Sequence, residues 1–153
     1  MISYFNHVNI NDRSDWPGTY GSVLLTNKSC ARLYDYLSPY VADLEPPEKY
    51  HITTIYTKNI LPLTSQRLLI NLSSEYFKYE KFSDTLLVLR VEHSILHHLF
   101  EKAIRLGATW DFPSYKPHIT LSTNFPSDIS NLPDPPDFWL YTTEHRIEPL
   151  KDD

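Results

Sequence analysis

Apolar positions along the 153-residue chain change period several times, and each change marks an element. Thr19 to Leu25, entered through Pro17-Gly18, is the short apolar run of a buried strand. From Ser29 the spacing turns helical. Ala31, Leu33, Tyr34, Leu37, Tyr40, Val41 and Leu44 fall on one stripe, predicting a helix closed by Pro46-Pro47. An extended segment from Lys49 follows, then an Asn59–Ser65 connector containing Pro62. Arg67–Leu72 and Glu75–Phe82 read as two strands, or as one strand interrupted at Ser73-Ser74, and Thr85–Val91 as a further strand. A helix is predicted from His93 to Leu106, with Ile95, Leu96, Leu99, Phe100, Ala103 and Leu106 on its core face and Gly107 as its C-terminal cap. Trp110–Pro117 loops into another extended segment, Asn124–Pro136 is proline-rich, and Phe138–Glu148 has the pattern of a final strand. Met1–Trp16 lacks periodicity and is expected to form an arm or a first edge segment.

The order strand, helix, strand occurs twice. Within it, two segments nearly repeat: Lys49-Tyr50-His51-Ile52-Thr53 and Lys116-Pro117-His118-Ile119-Thr120. From Tyr20 to His51 is 31 positions and from Thr85 to His118 is 33, the near-equal spacing of a duplicated unit. The predicted fold is α+β and two-lobed, with duplicated strand-helix-strand units whose antiparallel sheets line a central cleft. Residues 1–153 form one bilobal domain, with lobes over roughly 17–58 plus the C-terminal segment and over 67–123.

In an extended segment residues two apart share a face, so Lys49, His51 and Thr53 are expected on one side, as are Lys116, His118 and Thr120. Tyr50, Ile52, Ile119 and Leu121 would face the core. A lone His-x-Thr arises by chance in a chain with seven histidines, and two such histidines could simply be satisfied by neighbouring backbone. Two copies in matching surroundings point instead to chemistry. Paired imidazoles can remove one proton and deliver another near neutrality, while two hydroxyls can donate to phosphoryl oxygens without a metal. The lysines would raise the local potential for a phosphodiester, unless they are merely solvated strand ends.

Composition narrows the setting. Hydrophobic residues make up 41% of the chain, with eleven Tyr, seven Phe and three Trp, enough for a sizeable core. A net charge of −5 argues against binding a long nucleic acid but leaves room for a small anionic ligand in a local basic pocket. Cys30 is the only cysteine and three glycines exclude a phosphate-cradling glycine loop. With no apolar leader-like stretch at the start and no run of spanning length, a cytoplasmic protein is expected, in a host cell if phage-encoded. His93, His97 and Glu101 have a spacing that could hold a divalent ion, but on an exposed helix face a solvated stripe is the ordinary outcome. His7 and His145 have no identifiable partners in sequence.

The paired motifs on equivalent strands resemble those of the 2H phosphoesterase superfamily. The small size, an aromatic in the first strand at Tyr20 and the acidic stretch Glu144–Glu148 are most similar to the phage anti-CBASS cyclic-nucleotide phosphodiesterases. The resemblance implies metal-independent cleavage of 3′–5′ bonds in cyclic di- and trinucleotide immune signals such as cyclic GMP–AMP. No cofactor, membrane or obligate protein partner is called for. It implies His51, Thr53, His118 and Thr120 as catalytic residues, with Tyr20 and either Glu144 or Glu148 on the bases. Tyr115, Trp110, Lys49 and Lys116 join them as candidate substrate contacts, Tyr56 lies close by, and Trp139 or Trp110 could replace a C-terminal tryptophan that the family tends to carry. The more polar surroundings of His51 favour it as the base. Two alternatives stand beside this one: a 2H enzyme acting on RNA ends (2′,3′-cyclic phosphates or 2′–5′ linkages), and a non-catalytic nucleotide-binding module.

Overall fold

A computed structural model describes residues 10–151, so the expectation for the first nine residues and His7 lies outside the described part. Its strands are β1 (Thr19–Leu25), β2 (His51–Thr57), β3 (Gln66–Arg67), β4 (Asn71–Leu72), β5 (Phe77–Lys81), β6 (Leu87–Val91), β7 (His118–Ser122) and β8 (Leu140–Pro149). Two helices, α1 (Asn27–Leu37) and α2 (Ser94–Arg105), lie between β1 and β2 and between β6 and β7. The fold is α+β, and its antiparallel sheet runs β3-β8-β1-β2-β7-β6-β5, with β4 also on β8. The two motif strands are therefore neighbours at the centre. They share one ladder pair, Ile52 with Ile119, both fully buried.

The repeated order is repeated in pairing. Leu24, Val23 and Ser22 of β1 stand opposite His51, Ile52 and Thr53; Arg90, Leu89 and Val88 of β6 stand opposite His118, Ile119 and Thr120. In both pairs the register slips immediately after the motif threonine, leaving Thr54 and Leu121 as the extra residues of two equivalent β-bulges. β3 and β4, which the pattern grouped with the second lobe, pair with β8 in the first half.

Helix α1 starts with Thr26, whose hydroxyl accepts the Ser29 N–H at 3.0 Å. It ends at Leu37, a full turn and more before Pro46-Pro47. Pro39 has no N–H to offer the Asp35 carbonyl, so the ladder stops there. Val41 is still buried, whereas Tyr40, placed on the core stripe by the helical pattern, is exposed. Helix α2 agrees with expectation. Gly107 takes φ +111° just past its end, with Gly107 N–H on Ile104 and Ala108 N–H on Ala103, a glycine-terminated Schellman cap.

One buried cluster runs from Val23, Leu33 and Leu37 through Ile52 and Leu72 to Leu89, Leu96, Ile119 and Leu121, spanning both halves. A smaller one joins Ile55, Leu61, Leu63, Ala103 and Ile147. Among the described residues no helix is long and apolar enough to cross a membrane.

Candidate active site

The antiparallel β2–β7 register, carried one residue either way from Ile52 and Ile119, sets His51 across from Thr120 and Thr53 across from His118. The four polar motif side chains thus occupy one small patch, opposite the face that buries Tyr50, Ile52, Ile119 and Leu121. His51 Nδ1 lies 2.8 Å from the Lys49 carbonyl and His118 Nδ1 lies 2.7 Å from the Lys116 carbonyl. A carbonyl only accepts, so each Nδ1 carries a proton and donates it. Both rings are oriented by the same device, which leaves each Nε2 for a substrate, as an acceptor when the ring is neutral and as a donor when it is protonated.

Each lysine contributes its backbone to that device. The side chains part ways: Lys49 lies in the turn before β2 with its ammonium 3.9 Å from Glu45, whereas Lys116 precedes β7 with its ammonium 3.7 Å from Glu80 and 5.8 Å from the centre of the Phe82 ring, beside His118. Both strands begin at the histidine, so each lysine stands just before its strand, and Lys116 keeps its ammonium among the groups around His118.

Tyr20 is on the site face. Its hydroxyl is 2.7 Å from the Thr53 hydroxyl, and its ring stands edge-on to His51 at 6.3 Å. Burial raises the phenol above its ordinary range, so at neutral pH it keeps a proton to donate. Either hydroxyl can donate in this pair, and with Tyr20 as the donor Thr53 keeps its own proton for another acceptor. Both candidate glutamates lie on the same face of β8: Glu148 across from Tyr20, Glu144 across from Leu24. Glu144 is gripped by Arg146, with Nη2 at 2.9 Å and Nε at 3.3 Å, while Glu148 is close enough to push the Tyr20 phenol further up.

Tyr115 and Trp110 sit differently. Tyr115 is buried, its ring stacked on Phe100 at 4.4 Å and its hydroxyl donating to the Thr53 carbonyl at 2.7 Å. Trp110 packs against Phe100, Phe112 and Tyr115 and donates to the Ser114 carbonyl. Both brace the backbone beneath the site. Trp139 is half-exposed beside Tyr141, near the start of β8.

Three residues absent from the sequence reading of the site stand on its face. Phe82 packs edge-on to His118 at 4.7 Å. Arg90, directly across from His118, pairs with Glu80 at 2.7 Å and with Glu92. Arg146 stands across from Ser22, which pairs with Thr53. The spacing of Arg90 to the preceding strand start gave no signal, because its partner position in the first half is Leu24. Burial, foremost, pulls the His118 imidazole below its ordinary range; His51 and Arg90 push the same way, and the Lys116 carbonyl and Glu80 oppose them.

The helical His/Glu stripe is not a metal cluster. His93 Nδ1 accepts the Ile95 N–H at 3.0 Å as the cap of α2, and His97 pairs with Glu92 at 3.1 Å. Among the described residues no group of three or more His, Cys, Asp or Glu side chains is arranged to hold an ion. His145, without a partner in sequence, has one in space: its Nε2 is 2.7 Å from the hydroxyl of the bulge residue Thr54.

A duplicated lobe with a central seam and a His-x-Thr on each side of it is the arrangement that the resemblance to 2H phosphoesterases implies, and solved structures share the fold. Escherichia coli LigT complexed with 3′-AMP superposes with a TM-score of 0.58 at 14% identity, covering 89% of this chain and 96% of LigT. A second phosphoesterase gives 0.55 at 13% identity over the same share of this chain. More narrowly, the family model "Anti-CBASS protein Acb1" matches residues 17–153, and the chain belongs to that family. It is 37% identical to the Acb1 protein of Enterobacteria phage T4 over 83 residues, 52% of this chain and 53% of that one. It is 36% identical to that of Yersinia phage phiR1-RT over 81 residues, with the same shares. The alignments span about half the length of these curated relatives.

Proposed function

We propose that this protein is a phosphodiesterase that opens the 3′–5′ linkages of cyclic di- and trinucleotide signals, and that in doing so it serves a phage against CBASS immunity. The observation that carries the reading is the matched pair of imidazoles, each with Nδ1–H tied to its own strand's backbone and Nε2 left for a substrate. Membership of the Acb1 family supplies the biological setting.

In this reading one Nε2 removes the proton from a ribose 2′-hydroxyl, and that oxygen attacks the adjacent phosphorus in line. The other imidazole, protonated, delivers its proton to the departing 5′-oxygen. The products are a 2′,3′-cyclic phosphate and a 5′-hydroxyl. Thr53 and Thr120, one beside each imidazole across the seam, hydrogen-bond the non-bridging oxygens as charge builds. The catalytic groups are His51, Thr53, His118 and Thr120, and no cofactor enters the step. Tyr20 donates to Thr53 and offers its ring edge, with Tyr56 and Glu148, to a base.

The test is incubation with cyclic GMP–AMP, cyclic tri-adenylate and an RNA ending in a 2′,3′-cyclic phosphate, with EDTA present, followed by mass spectrometry. Linear products from the cyclic substrates are expected, with His51→Ala and His118→Ala each lowering the rate by on the order of 10²- to 10⁴-fold. Turnover of the RNA end alone would replace this reading with an RNA-end enzyme. Tight retention of intact cyclic ligand would indicate a binding module.

A further inference from the structure

Resting on the phosphodiesterase reading, we propose that the two histidines have fixed and different roles: His118 accepts the 2′-hydroxyl proton, His51 donates to the leaving 5′-oxygen, and Arg90 is the positioning residue that sets this order. The halves of the molecule are equivalent in backbone but not in what faces each imidazole. The residue opposite His51 is Leu24, on a strand with no charged side chain; the residue opposite His118 is Arg90.

Arg90 is a largely buried cation. Its side chain is 16% exposed, clamped between Glu80 and Glu92, and its Nε is buried without a partner. Phe82 closes over His118 from the β5–β6 turn at 4.7 Å, nearer than Tyr20 comes to His51 at 6.3 Å. The charged and titratable groups around His118 are Lys78 and Glu80 on β5, Arg90 and Glu92 at β6, Lys116 before β7, and His51 on β2. A second positive charge placed on His118 would be desolvated and would sit beside a guanidinium. The ring rests neutral, and with Nδ1–H on the Lys116 carbonyl a neutral ring presents a lone pair at Nε2. That is an acceptor. The donor must be the other imidazole.

The step balances. His118 Nε2 takes the 2′-O–H proton as the 2′-oxygen bonds to phosphorus; the P–O5′ bond breaks, its electron pair stays on O5′, and O5′ takes the proton from His51 Nε2. His118 ends as imidazolium and His51 neutral, and proton exchange with solvent returns each ring to its starting state.

A cyclic dinucleotide whose scissile bridging 5′-oxygen is replaced by sulfur separates the roles, because a thiolate leaves without a proton. On the oxygen substrate both His51→Ala and His118→Ala should lose on the order of 10²-fold or more. On the sulfur-bridged substrate His51→Ala should recover to within about tenfold of the unmutated enzyme, and His118→Ala should not. Rescue of His118→Ala instead, or of both or neither, overturns the assignment. Full activity of both variants on the oxygen substrate would overturn the phosphodiesterase reading itself. For Arg90 the readout is the acid limb of kcat/KM against pH. Arg90→Leu, with folding checked by circular dichroism, should move it to higher pH, Arg90→Lys should restore it, and Glu80→Gln should move it to lower pH. Should Arg90→Leu fail to fold, the Glu80→Gln shift decides; a limb unmoved in the variants that fold overturns the role of Arg90.

Discussion

His145 is an imidazole locked away from water on the far side of the sheet from the motif residues. It is 8% exposed, its Nε2 is bonded to Thr54, and it lines a cavity of about 110 Å³ together with Gln66, Leu99, Lys102 and Ile147. Burial, aided by the Lys102 ammonium, pushes it down to about 4. In the unfolded chain the same group titrates near 6.5. The unfolded chain therefore binds the proton first, and the stability due to a neutral His145 is complete above about pH 6.5. It is lost as pH falls from 6.5 towards 4. Integrated over that window, folding should lose about 2.5 kcal/mol between pH 7.5 and pH 4.5 on account of this one ring.

Urea unfolding of the unmutated protein and of His145→Gln, measured across that range, isolates the effect. Glutamine keeps a polar partner near Thr54 but cannot titrate. His118, whose imidazole is also lowered, contributes in both proteins and cancels in the difference. The unmutated protein should lose about 2.5 kcal/mol more than the variant on acidification, a midpoint change of roughly 1 M urea or more. Two parallel pH profiles would refute the reasoning, since they would mean that His145 is no harder to protonate folded than unfolded.

Tyr115→Phe removes the donor to the Thr53 carbonyl at 2.7 Å and should cost about 1–3 kcal/mol in urea unfolding, with kcat falling because β2 loosens at the motif. Tyr20→Phe should leave stability within about 1.5 kcal/mol of the parent. The same variant should lower kcat for a cyclic dinucleotide by on the order of tenfold, since Thr53 loses the partner that orients it. An unchanged kcat would remove Tyr20 from that role. Gly18→Ala would place a Cβ 2.2 Å from the Thr57 carbonyl oxygen and 2.8 Å from the Lys58 Cα, both backbone. A drop in melting temperature matching at least about 1–3 kcal/mol is expected.

What was legible in the sequence follows from period and repetition. The apolar runs located β1, β6 and α2, and the doubled His-x-Thr located the two strands that meet at the centre. Burial of Ile52 and Ile119 makes their placement insensitive to loop detail. Hydrophobic spacing overextended α1 because it ignores a missing N–H, and Pro39 ended the ladder although Val41 continues to face the core. Lys49 departs from the expected row for a related reason. Alternation counts side chains, whereas the site uses the carbonyls of Lys49 and Lys116. Tyr115 looked like a cleft residue because it is three positions from His118, but proximity in sequence says nothing about which face a loop residue packs on. Arg90 carried no signal because duplication predicts likeness between halves, and its counterpart is Leu24.

The two bulges take their strands out of simple alternation and show how the site is shaped. Read with period two, His-Ile-Thr-Thr-Ile-Tyr-Thr puts Ile55 beside His51 and Thr53, and Tyr56 in the core. In the folded chain Thr54 and Ile55 are both buried and Tyr56 is half-exposed across from Tyr20. The extra residue at Thr54 flips everything after it, as Leu121 does to Ser122 in the other half. The flip delivers an aromatic ring to the site face beyond Thr53, and it turns the Thr54 hydroxyl inward to His145. The bulge residues differ chemically, Thr54 against Leu121, so no repeat of letters could disclose them. What the two halves share is a break in register one residue past the motif, where the ladder gives way just after the motif hydroxyl.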